Sequence, residues 1–372
     1  MSDAGELARR IIEINRAKRL GETTMEEWTD RITALLRAQP DVSEPIEVSK
    51  VRAPEGGAGS SSGTLFFHAK VGTAGGVVEK DYVLRFRPAE QLFHQYDLDG
   101  QVRIQRALHD TDVPVPQQCW EDIPGTFLTM PGYIMERAAG EAAPGAWFAS
   151  GVIADAEPAQ RRAMVMSFFK TMVNIHAVDW RARGLSFLLN RAQSDSLVGR
   201  EINWYHDGLE WAGEQEAIAK YDYIRQWLLE NVPPYEKAVL CHGDSNFTNT
   251  MFADNAISAV LDWEMSFIGT PECDLSYAIL GMGALTSDYP EGTPSEDEML
   301  AEYTRYSGHT PKHMDYYRLF SLYRIVYTHI LGVRAFPDDF KAAFKGHVDG
   351  LIAKMEKQAE VVGASARSKA AS

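Results

Sequence analysis

The most constraining feature of the chain is a pair of short apolar segments, each of which ends in an aspartate. Residues 238–240 lead into a His-Gly-Asp turn at 242–244, Asn249 follows five residues after the Asp, and residues 257–261 lead into Asp262. Short apolar runs bounded by turn residues predict buried strands. Two strands, a tight turn and three oxygen-bearing side chains are therefore expected within one compact piece of structure.

This order of residues is the one that phosphoryl transfer from ATP requires. Asp244 supplies a carboxylate that accepts the hydrogen of an attacking hydroxyl and aims its oxygen at the γ-phosphorus. Asn249 and Asp262 supply one neutral and one anionic oxygen, both hard ligands of the kind that Mg²⁺ prefers. The alternative, an ordinary turn and an ordinary strand end, leaves their common spacing unexplained.

Composition narrows the classes of protein. A chain of 372 residues with 45% hydrophobic and 24% charged residues is long enough for two lobes and a large core. The net charge of −15 excludes the basic face of a nucleic-acid binder. No apolar signal region or membrane span is apparent, so a cytoplasmic location is expected. The three cysteines, Cys119, Cys241 and Cys273, suggest neither a disulfide framework nor a zinc site.

The rest of the chain divides by its periodicity. Residues 5–38 read as two helices, the second with a capping box from Thr23 to Glu26. Alternating segments between 46 and 137 predict a small, mainly antiparallel β lobe, and the only strand signals beyond residue 140 flank the 242–244 turn. The predicted divisions are N-terminal helices 1–45, N-lobe 46–137, C-lobe 138–363 and a disordered tail 364–372.

These residues resemble the aminoglycoside phosphotransferase and choline kinase superfamily over roughly residues 46 to 350. Leu-Asp-Trp-Glu at 261–264 is most similar to a bacterial subfamily of candidate aminoglycoside phosphotransferases, which is also similar to the kinase-like domain fused to some acyl-CoA dehydrogenases. The resemblance implies an α+β, protein-kinase-like two-lobed fold with a small antiparallel β N-lobe and a larger, mainly helical C-lobe. It also implies that Asp274 anchors the catalytic turn from a helix, and His242 is expected to brace that turn.

The resemblance further implies a set of nucleotide-binding residues in the N-lobe. A Gly/Ser stretch between the first two strands matches the loop that covers the phosphates, and small residues there let backbone N–H groups approach the phosphate oxygens. The segment 133–138 matches the hinge whose backbone reads adenine. The residues implied are Gly57, Gly59, Ser60, Ser61, Arg85, Gln101, Glu136 and Ala138.

Two of these positions depart from the usual kinase pattern. Arg85 stands where most kinases carry a phosphate-gripping Lys, although its guanidinium can also fork onto phosphate oxygens. Gln101 stands where the family usually has a Glu that pairs with that cation, and an amide can hydrogen-bond Arg85 without balancing its charge. The alternative for Arg85 is a solvent-facing arginine on an edge strand. These departures also motivate a second function, a degenerate kinase that binds nucleotide without transferring phosphate.

The acceptor is expected to be a hydroxylated small molecule, and two classes stay open. An aminoglycoside favours an acidic pocket, which could come from Asp207, Glu210, Glu214 and Glu216 near Trp204 and Trp211. A hydroxy acid or hydroxyacyl thioester favours cations, which could come from Arg161, Arg162, Arg181 and Arg183. The alternative for the acidic stretch is a solvated helix face. ATP, Mg²⁺ and this acceptor are the expected ligands, with neither nucleic acid nor membrane, and the oligomeric state is left open.

Overall fold

The chain divides into two compact units. One comprises Met1–Arg106 and Pro116–Ala138, and the other Ala107–Val115 and Ala139–Ser372. The structure, a computed structural model, describes residues 20–54, 63–88, 90–145, 147–283, 289–334 and 338–365. The first predicted N-terminal helix, the Gly/Ser loop with Gly57, Gly59, Ser60 and Ser61, and most of the predicted tail lie outside these residues.

The first unit contains a five-stranded antiparallel sheet with the strand order β1-β2-β3-β5-β4. Its strands are β1 Ser43–Arg52, β2 Gly63–Thr73, β3 Gly76–Phe86, β4 Gln118–Asp122 and β5 Gly132–Glu136. Two helices accompany the sheet, α1 Met25–Arg37 and α2 Leu98–Leu108. The small antiparallel β lobe that the alternating pattern predicts is therefore present.

Helix α1 covers one face of this sheet with an apolar stripe. Trp28, Ile32, Leu35 and Leu36 are fully buried and pack in one core with the inward side chains of β2 and β3. The helix begins one residue later than the sequence predicts. The capping box is formed by Thr24 and Glu27, not Thr23 and Glu26, and the Glu27 carboxylate accepts the Thr24 N–H at 2.7 Å. Both pairs fit the motif, and the structure forms the later one.

Helix α2 packs on the opposite face, where Val102 and Leu98 contact Val83 and Tyr133. Side chains alternate between the two faces of a strand, so Arg85 shares this face with Val83. Arg85 pairs with Tyr133 across the neighbouring strand and is only 7% exposed. The alternative of a solvent-facing arginine on an edge strand is wrong, because β3 is the central strand.

The second unit is mainly helical. Its helices are α3 Pro158–Ala177, α4 Leu197–Ala212, α5 Gln215–Glu230, α6 Pro271–Gly283, α7 Glu296–Ser307, α8 Met314–Arg334 and α9 Asp338–Val361. Its strands are β6 Glu141–Ala142, β7 Val239–Cys241, β8 Thr250–Ala253, β9 Ala256–Val260 and β10 Phe267–Gly269. Within the residues described, no helix combines the length and apolar composition that crossing a bilayer requires.

The strands of this unit outnumber the prediction. Strand β10 pairs with β7, and β6 pairs with β8, so strand signals do not stop at the segments next to the 242–244 turn. Two- and three-residue strands are too short to show an alternating pattern, and their pairing is decided by tertiary neighbours.

A buried carboxylate, Asp274 on α6, joins several elements of the second unit. It is fully buried and accepts hydrogen bonds from the N–H groups of His242 (2.8 Å) and Gly243 (3.0 Å), just beyond β7. His176 on α3 reaches the same carboxylate at 3.1 Å through Nε2, while its Nδ1 contacts the Tyr303 hydroxyl on α7 at 2.8 Å. Burial alone would raise the pKa of Asp274, but the hydrogen bond and the charge of His176, together with the Gly243 N–H, lower it to about 2.

We expect Asp274→Asn to lower the stability of the protein at neutral pH. The stability of the variant should also change less with pH in the acidic range. The pKa of Asp274 in the folded state is about 2, below the ordinary value of 3.8, so its contribution is fully present above about pH 4 and is lost as the pH falls towards 2. The shift in pKa corresponds to a contribution of about 2 kcal/mol to the free energy of unfolding. Urea unfolding at pH 7 and pH 3 should show a wild-type advantage that shrinks at the lower pH. Asp195→Asn, at an exposed position, is the control, and an equal advantage at both pH values would contradict the assignment.

Candidate active site

The β8–β9 hairpin brings Asn249 and Asp262 to the same end of the small sheet. Thr250 of β8 pairs with Val260 of β9, so the residues just outside these two positions are neighbours. The Leu261 N–H donates to the Asn249 carbonyl at 2.8 Å. The two predicted metal ligands are thirteen residues apart in the chain. They lie at the same end of the sheet because the segment between them folds into a tight hairpin.

The turn at 242–244 is held on every side. Each backbone N–H and C=O of its three residues makes a hydrogen bond, so none is left unpaired in this buried region. Most partners are side chains, because the backbone at a turn has no neighbouring strand with which to pair. The partners are Asp274 for the first two N–H groups, His242 Nδ1 for the third, and Ser266 Oγ, Arg324 and Asn249 Nδ2 for the successive carbonyls.

Gly243 is required by the shape of this turn. Its φ of +86° lies in the left-handed region, and a Cβ added there would lie 2.0 Å from the Met265 carbonyl oxygen. A side chain would have to push the backbone of the neighbouring segment away. The turn can therefore lie close to residues 263–265 only with glycine at this position.

His242 acts as a brace. Its Nδ1 accepts the Asp244 N–H at 3.2 Å, so Nε2 carries the hydrogen and donates to the Leu261 carbonyl at 2.8 Å. Both ring nitrogens are thus used by backbone groups, and the imidazole joins the turn to the end of β9. This geometry agrees with the bracing role expected from the sequence and leaves no nitrogen for proton transfer.

Two side chains hold the Asp244 carboxylate in place. Asn249 Nδ2 donates to Oδ2 at 2.6 Å, and Asn246 Nδ2 donates to Oδ1 at 2.7 Å. Tyr277 on α6 lies near the same carboxylate, and burial together with the charge of Asp244 raises the pKa of Tyr277 well above its usual value. A carboxylate with one donor on each oxygen is fixed in orientation and keeps its remaining lone pairs for a further hydrogen bond.

The donor set at the hairpin end suits a magnesium ion. Because the Asn249 amide nitrogen faces Asp244, its carbonyl oxygen points the other way, and it accepts no hydrogen bond within the residues described. Asp262 adopts a left-handed conformation with φ of 64°, which turns the chain sharply at the end of β9. One neutral oxygen and one carboxylate at the same end of the hairpin match the preference of Mg²⁺ for oxygen ligands.

A cavity of about 190 Å³ opens beside Asp244. Its lining includes Asn246, Thr248 and Tyr277 close to the carboxylate. The other lining residues are mostly apolar and come from the turn after β7, from α3, α6, α8 and α9, and from the segment after β6. They are Gly145, Trp147, Phe168, Ser245, Phe247, Ala278, Gly281, Met282, Ile325, His329, His347 and Leu351.

Two of the residues that line the cavity are histidines. The rings of His329 on α8 and His347 on α9 lie with centroids 5.2 Å apart. His329 Nδ1 contacts the Ile325 carbonyl at 2.7 Å, which assigns the hydrogen to Nδ1. Burial lowers the pKa of His329 and the neighbouring His347 lowers it further, so the neutral ring presents a hydrogen-bond acceptor at Nε2.

Neither charged set predicted for the acceptor lines this cavity. Asp207 and Glu210 on α4 and Glu216 on α5 are exposed, and Glu214 between these helices is partly exposed, which fits the solvated alternative. Arg334 lies over the Trp211 ring at 4.1 Å. The arginines are engaged elsewhere: Arg161 is buried and donates to four backbone carbonyls, and the other three make local contacts. Those contacts are Arg162 with Glu298, Arg181 over Trp180, and Arg183 with Asp110.

The predicted nucleotide-binding residues of the first unit lie in several surroundings. Arg85 is buried on the α2 face of the sheet, and Gln101 is buried within α2, but the Gln101 amide makes no hydrogen bond in the part of the chain described. The expected hydrogen bond between Gln101 and Arg85 is therefore not formed. At the hinge, the Glu136 N–H donates to the Gln117 carbonyl and the Glu136 carboxylate accepts from Lys80 at 2.6 Å.

Sequence reasoning missed several residues of the site. Asn246 sits within the motif, and its cap of the Phe247–Asn249 turn is a local signal that could have identified it. Tyr277, Arg324 and His329 carry no such signal. They arrive from α6 and α8 through tertiary packing, and helical tyrosines, arginines and histidines are common in proteins without any role in a site.

Comparison with known proteins identifies the family of this chain. Residues 60–320 match the model of the phosphotransferase enzyme family. Acyl-CoA dehydrogenase family member 11 of Gallus gallus is 26% identical over 320 residues, which cover 80% of this chain and 37% of that protein. The chain thus spans little more than a third of that relative's length.

Solved structures share the fold. A protein from Ralstonia eutropha described as a candidate aminoglycoside phosphotransferase superposes with a TM-score of 0.64 at 21% identity, covering 90% of this chain and 96% of its own. The GDP complex of aminoglycoside 2'-phosphotransferase-IIIa gives 0.55 at 13% identity, covering 91% and 100%. The protein-kinase-like fold predicted from the sequence is confirmed. The chain belongs to the phosphotransferase enzyme family.

Proposed function

We propose that this protein transfers the γ-phosphoryl group of ATP to a hydroxyl of a small molecule, with Mg²⁺ as the metal. The observation that carries the proposal is the 2.6 Å hydrogen bond from Asn249 Nδ2 to the Asp244 carboxylate. It aims the nitrogen of the amide at the proposed base and leaves the amide oxygen for a metal. The residues for proton acceptance and for metal binding are thus parts of one rigid arrangement.

In the proposed reaction, Asp244 accepts the hydrogen of the acceptor hydroxyl. The oxygen of that hydroxyl forms a bond to the γ-phosphorus, and the bond from this phosphorus to the β,γ-bridging oxygen breaks, so that ADP leaves. Asn246 and Asn249 hold the carboxylate still, so little reorganisation is needed when the hydroxyl arrives.

We assign the metal to Asn249 and Asp262. When bound, Mg²⁺ would neutralise charge on the phosphates. Binding of the rest of the nucleotide is assigned to Arg85, to the loop with Gly57, Gly59, Ser60 and Ser61, and to the backbone at Glu136 and Ala138. Gln101 stays in this set by its position on α2, where its unpaired amide offers a hydrogen bond to a ligand or to a rearranged Arg85.

The cavity beside Asp244 supports an acceptor with an apolar body. The described residues that line it include no carboxylate, which disfavours a polycationic aminoglycoside. It holds no lysine or arginine either, so a free acid would find only His329 and His347. Of the two acceptor classes, the cavity fits the aliphatic hydroxyacyl class better, with its charged or thioester end outside the apolar walls.

The reaction test is a product screen by mass spectrometry with MgATP, using kanamycin and 3-hydroxyhexanoyl-CoA side by side. A phosphorylated alcohol from either compound supports the proposed function. The alternative is a degenerate kinase, motivated by Arg85 and Gln101. Tight MgATP binding without product from any hydroxylated acceptor would support that alternative.

We expect Asp244→Asn to lower kcat by about a hundredfold or more, because the amide cannot accept the hydroxyl hydrogen as a carboxylate does. The variant should still bind MgADP. Asp254→Asn is a matched control, since Asp254 is exposed in the β8–β9 turn at a φ of 50°, which asparagine tolerates. A rate for Asp244→Asn within about threefold of the control would show that Asp244 is not the base.

We expect Asp262→Asn to raise the Mg²⁺ concentration for half-maximal rate by about tenfold or more, because an anionic ligand becomes neutral. Titration of the initial rate with MgCl₂ at saturating ATP measures this, and EDTA should abolish turnover of the wild type. An unchanged Mg²⁺ dependence would move the metal away from Asp262.

We expect Gly281→Leu to raise KM for the acceptor by about tenfold while KM for MgATP stays within about twofold. Gly281 lines the cavity, and a Cβ added there meets nothing within 4 Å, so the new side chain fills acceptor space without disturbing the helix. Gly350→Leu is the matched control, at an exposed helical glycine with equally open space. Equal acceptor KM values for both variants would place the acceptor elsewhere.

A further inference from the structure

Arg324 on α8 is completely buried directly beneath the catalytic turn. One nitrogen of its guanidinium donates to the Gly243 carbonyl at 2.5 Å. This carbonyl belongs to the peptide group that joins Gly243 to Asp244. The N–H on the other side of the same peptide donates to His242 Nδ1 at 3.2 Å.

A peptide group that is bound at both its oxygen and its nitrogen cannot rotate. The peptide plane sets the direction in which the next Cα–Cβ bond leaves the chain. Gly243 has no side chain to restrict its own dihedral angles, so without such bonds this peptide would be the most mobile part of the turn. Arg324 therefore helps to determine where the Asp244 carboxylate lies.

Arg324 reaches Asp244 by a second route through Tyr277. The guanidinium carbon lies 5.1 Å from the centroid of the Tyr277 ring, within the range of a cation–π contact. The same tyrosine lies near Asp244, whose charge raises the pKa of the phenol. One arginine thus contacts both the backbone that carries the carboxylate and a side chain that lies near it.

Arg324 shares a buried carboxylate with a second arginine. Its Nε lies 3.5 Å from Glu201, and Arg191 lies 3.4 Å from the other oxygen of that carboxylate. These three side chains together carry one net positive charge, opposite in sign to Asp244. Burying such a cluster is costly, and replacement by apolar residues is often neutral or stabilising.

We propose that Arg324 is a positioning residue, which orients the Asp244 carboxylate through the Gly243–Asp244 peptide and Tyr277. This inference rests on the proposed role of Asp244 as the group that accepts the hydroxyl hydrogen. Lysine keeps the charge but offers a single point of attachment, so it cannot hold the Gly243 carbonyl, Glu201 and the aromatic faces together.

The test is a double-mutant cycle with Asp244, using kcat for phosphorylation of 3-hydroxyhexanoyl-CoA and of kanamycin. Arg324→Lys should lower kcat by about tenfold to a hundredfold in the wild-type background while KM for MgATP changes little, since small misplacement of a reacting group has effects of this size. In the Asp244→Asn background the same change should have almost no further effect, because a residue that acts through Asp244 has nothing left to orient.

Arg161→Lys is the matched control. Arg161 is also a buried helical arginine of the second unit, and it also donates to backbone carbonyls, but it does not contact the turn. It should lower thermal stability about as Arg324→Lys does and leave kcat unchanged. Equal losses of kcat from Arg324→Lys with and without Asp244, or equal losses from both lysine variants, would overturn the proposal.

Failure of the proposed function looks different, because wild-type enzyme would then give no product that depends on Asp244. Crystal structures of the two lysine variants decide the inference in that case. The Asn249–Asp244 hydrogen bond and the direction of the Gly243 carbonyl should change in Arg324→Lys and persist in Arg161→Lys. An unaltered turn in Arg324→Lys would refute a positioning role whatever the reaction.

Discussion

The site depends on the pairing of one buried carboxylate with two backbone N–H groups. Asp274 could not remain ionised at full burial without donors, and the N–H groups of His242 and Gly243 could not remain buried without an acceptor. Each partner therefore makes the other possible. The contact also joins helix α6 to the end of β7, so that the turn carrying Asp244 is attached to the helical core and not only to its own strand.

The sequence predicted the site best where the residues lie close together in the chain. Asp244, Asn249 and Asp262 are connected by one turn and one hairpin, so their spacing alone was enough to bring them together. Arg85 was predicted from a strand position, and its burial follows from the same alternation. Local patterns also left an ambiguity: two overlapping Thr–Glu pairs fit the capping box, and the motif itself does not distinguish the pair that forms.

Charge patterns were a poor guide to the acceptor side. Helical acidic residues are usually solvated, and Asp207 and Glu210 of α4 are exposed here. The arginines failed for a different reason: Arg161 is occupied with carbonyls that no helix or strand satisfies, and one buried arginine can serve several such groups at once. Residues such as Tyr277 and His329 reach the cavity by helix packing, which depends on the whole fold and leaves no trace in nearby sequence.

The glycines of this unit differ in what they permit, and the difference bears on how such an enzyme could change over generations. At Gly243 any side chain would overlap the Met265 carbonyl, so substitutions at this position are not tolerated. At Gly145 and Gly281, which line the cavity, added atoms meet open space. Mutations can therefore reshape the wall one residue at a time while the turn stays intact. A lineage built on this scaffold could acquire new acceptors by gradual steps without ever passing through an inactive ancestor.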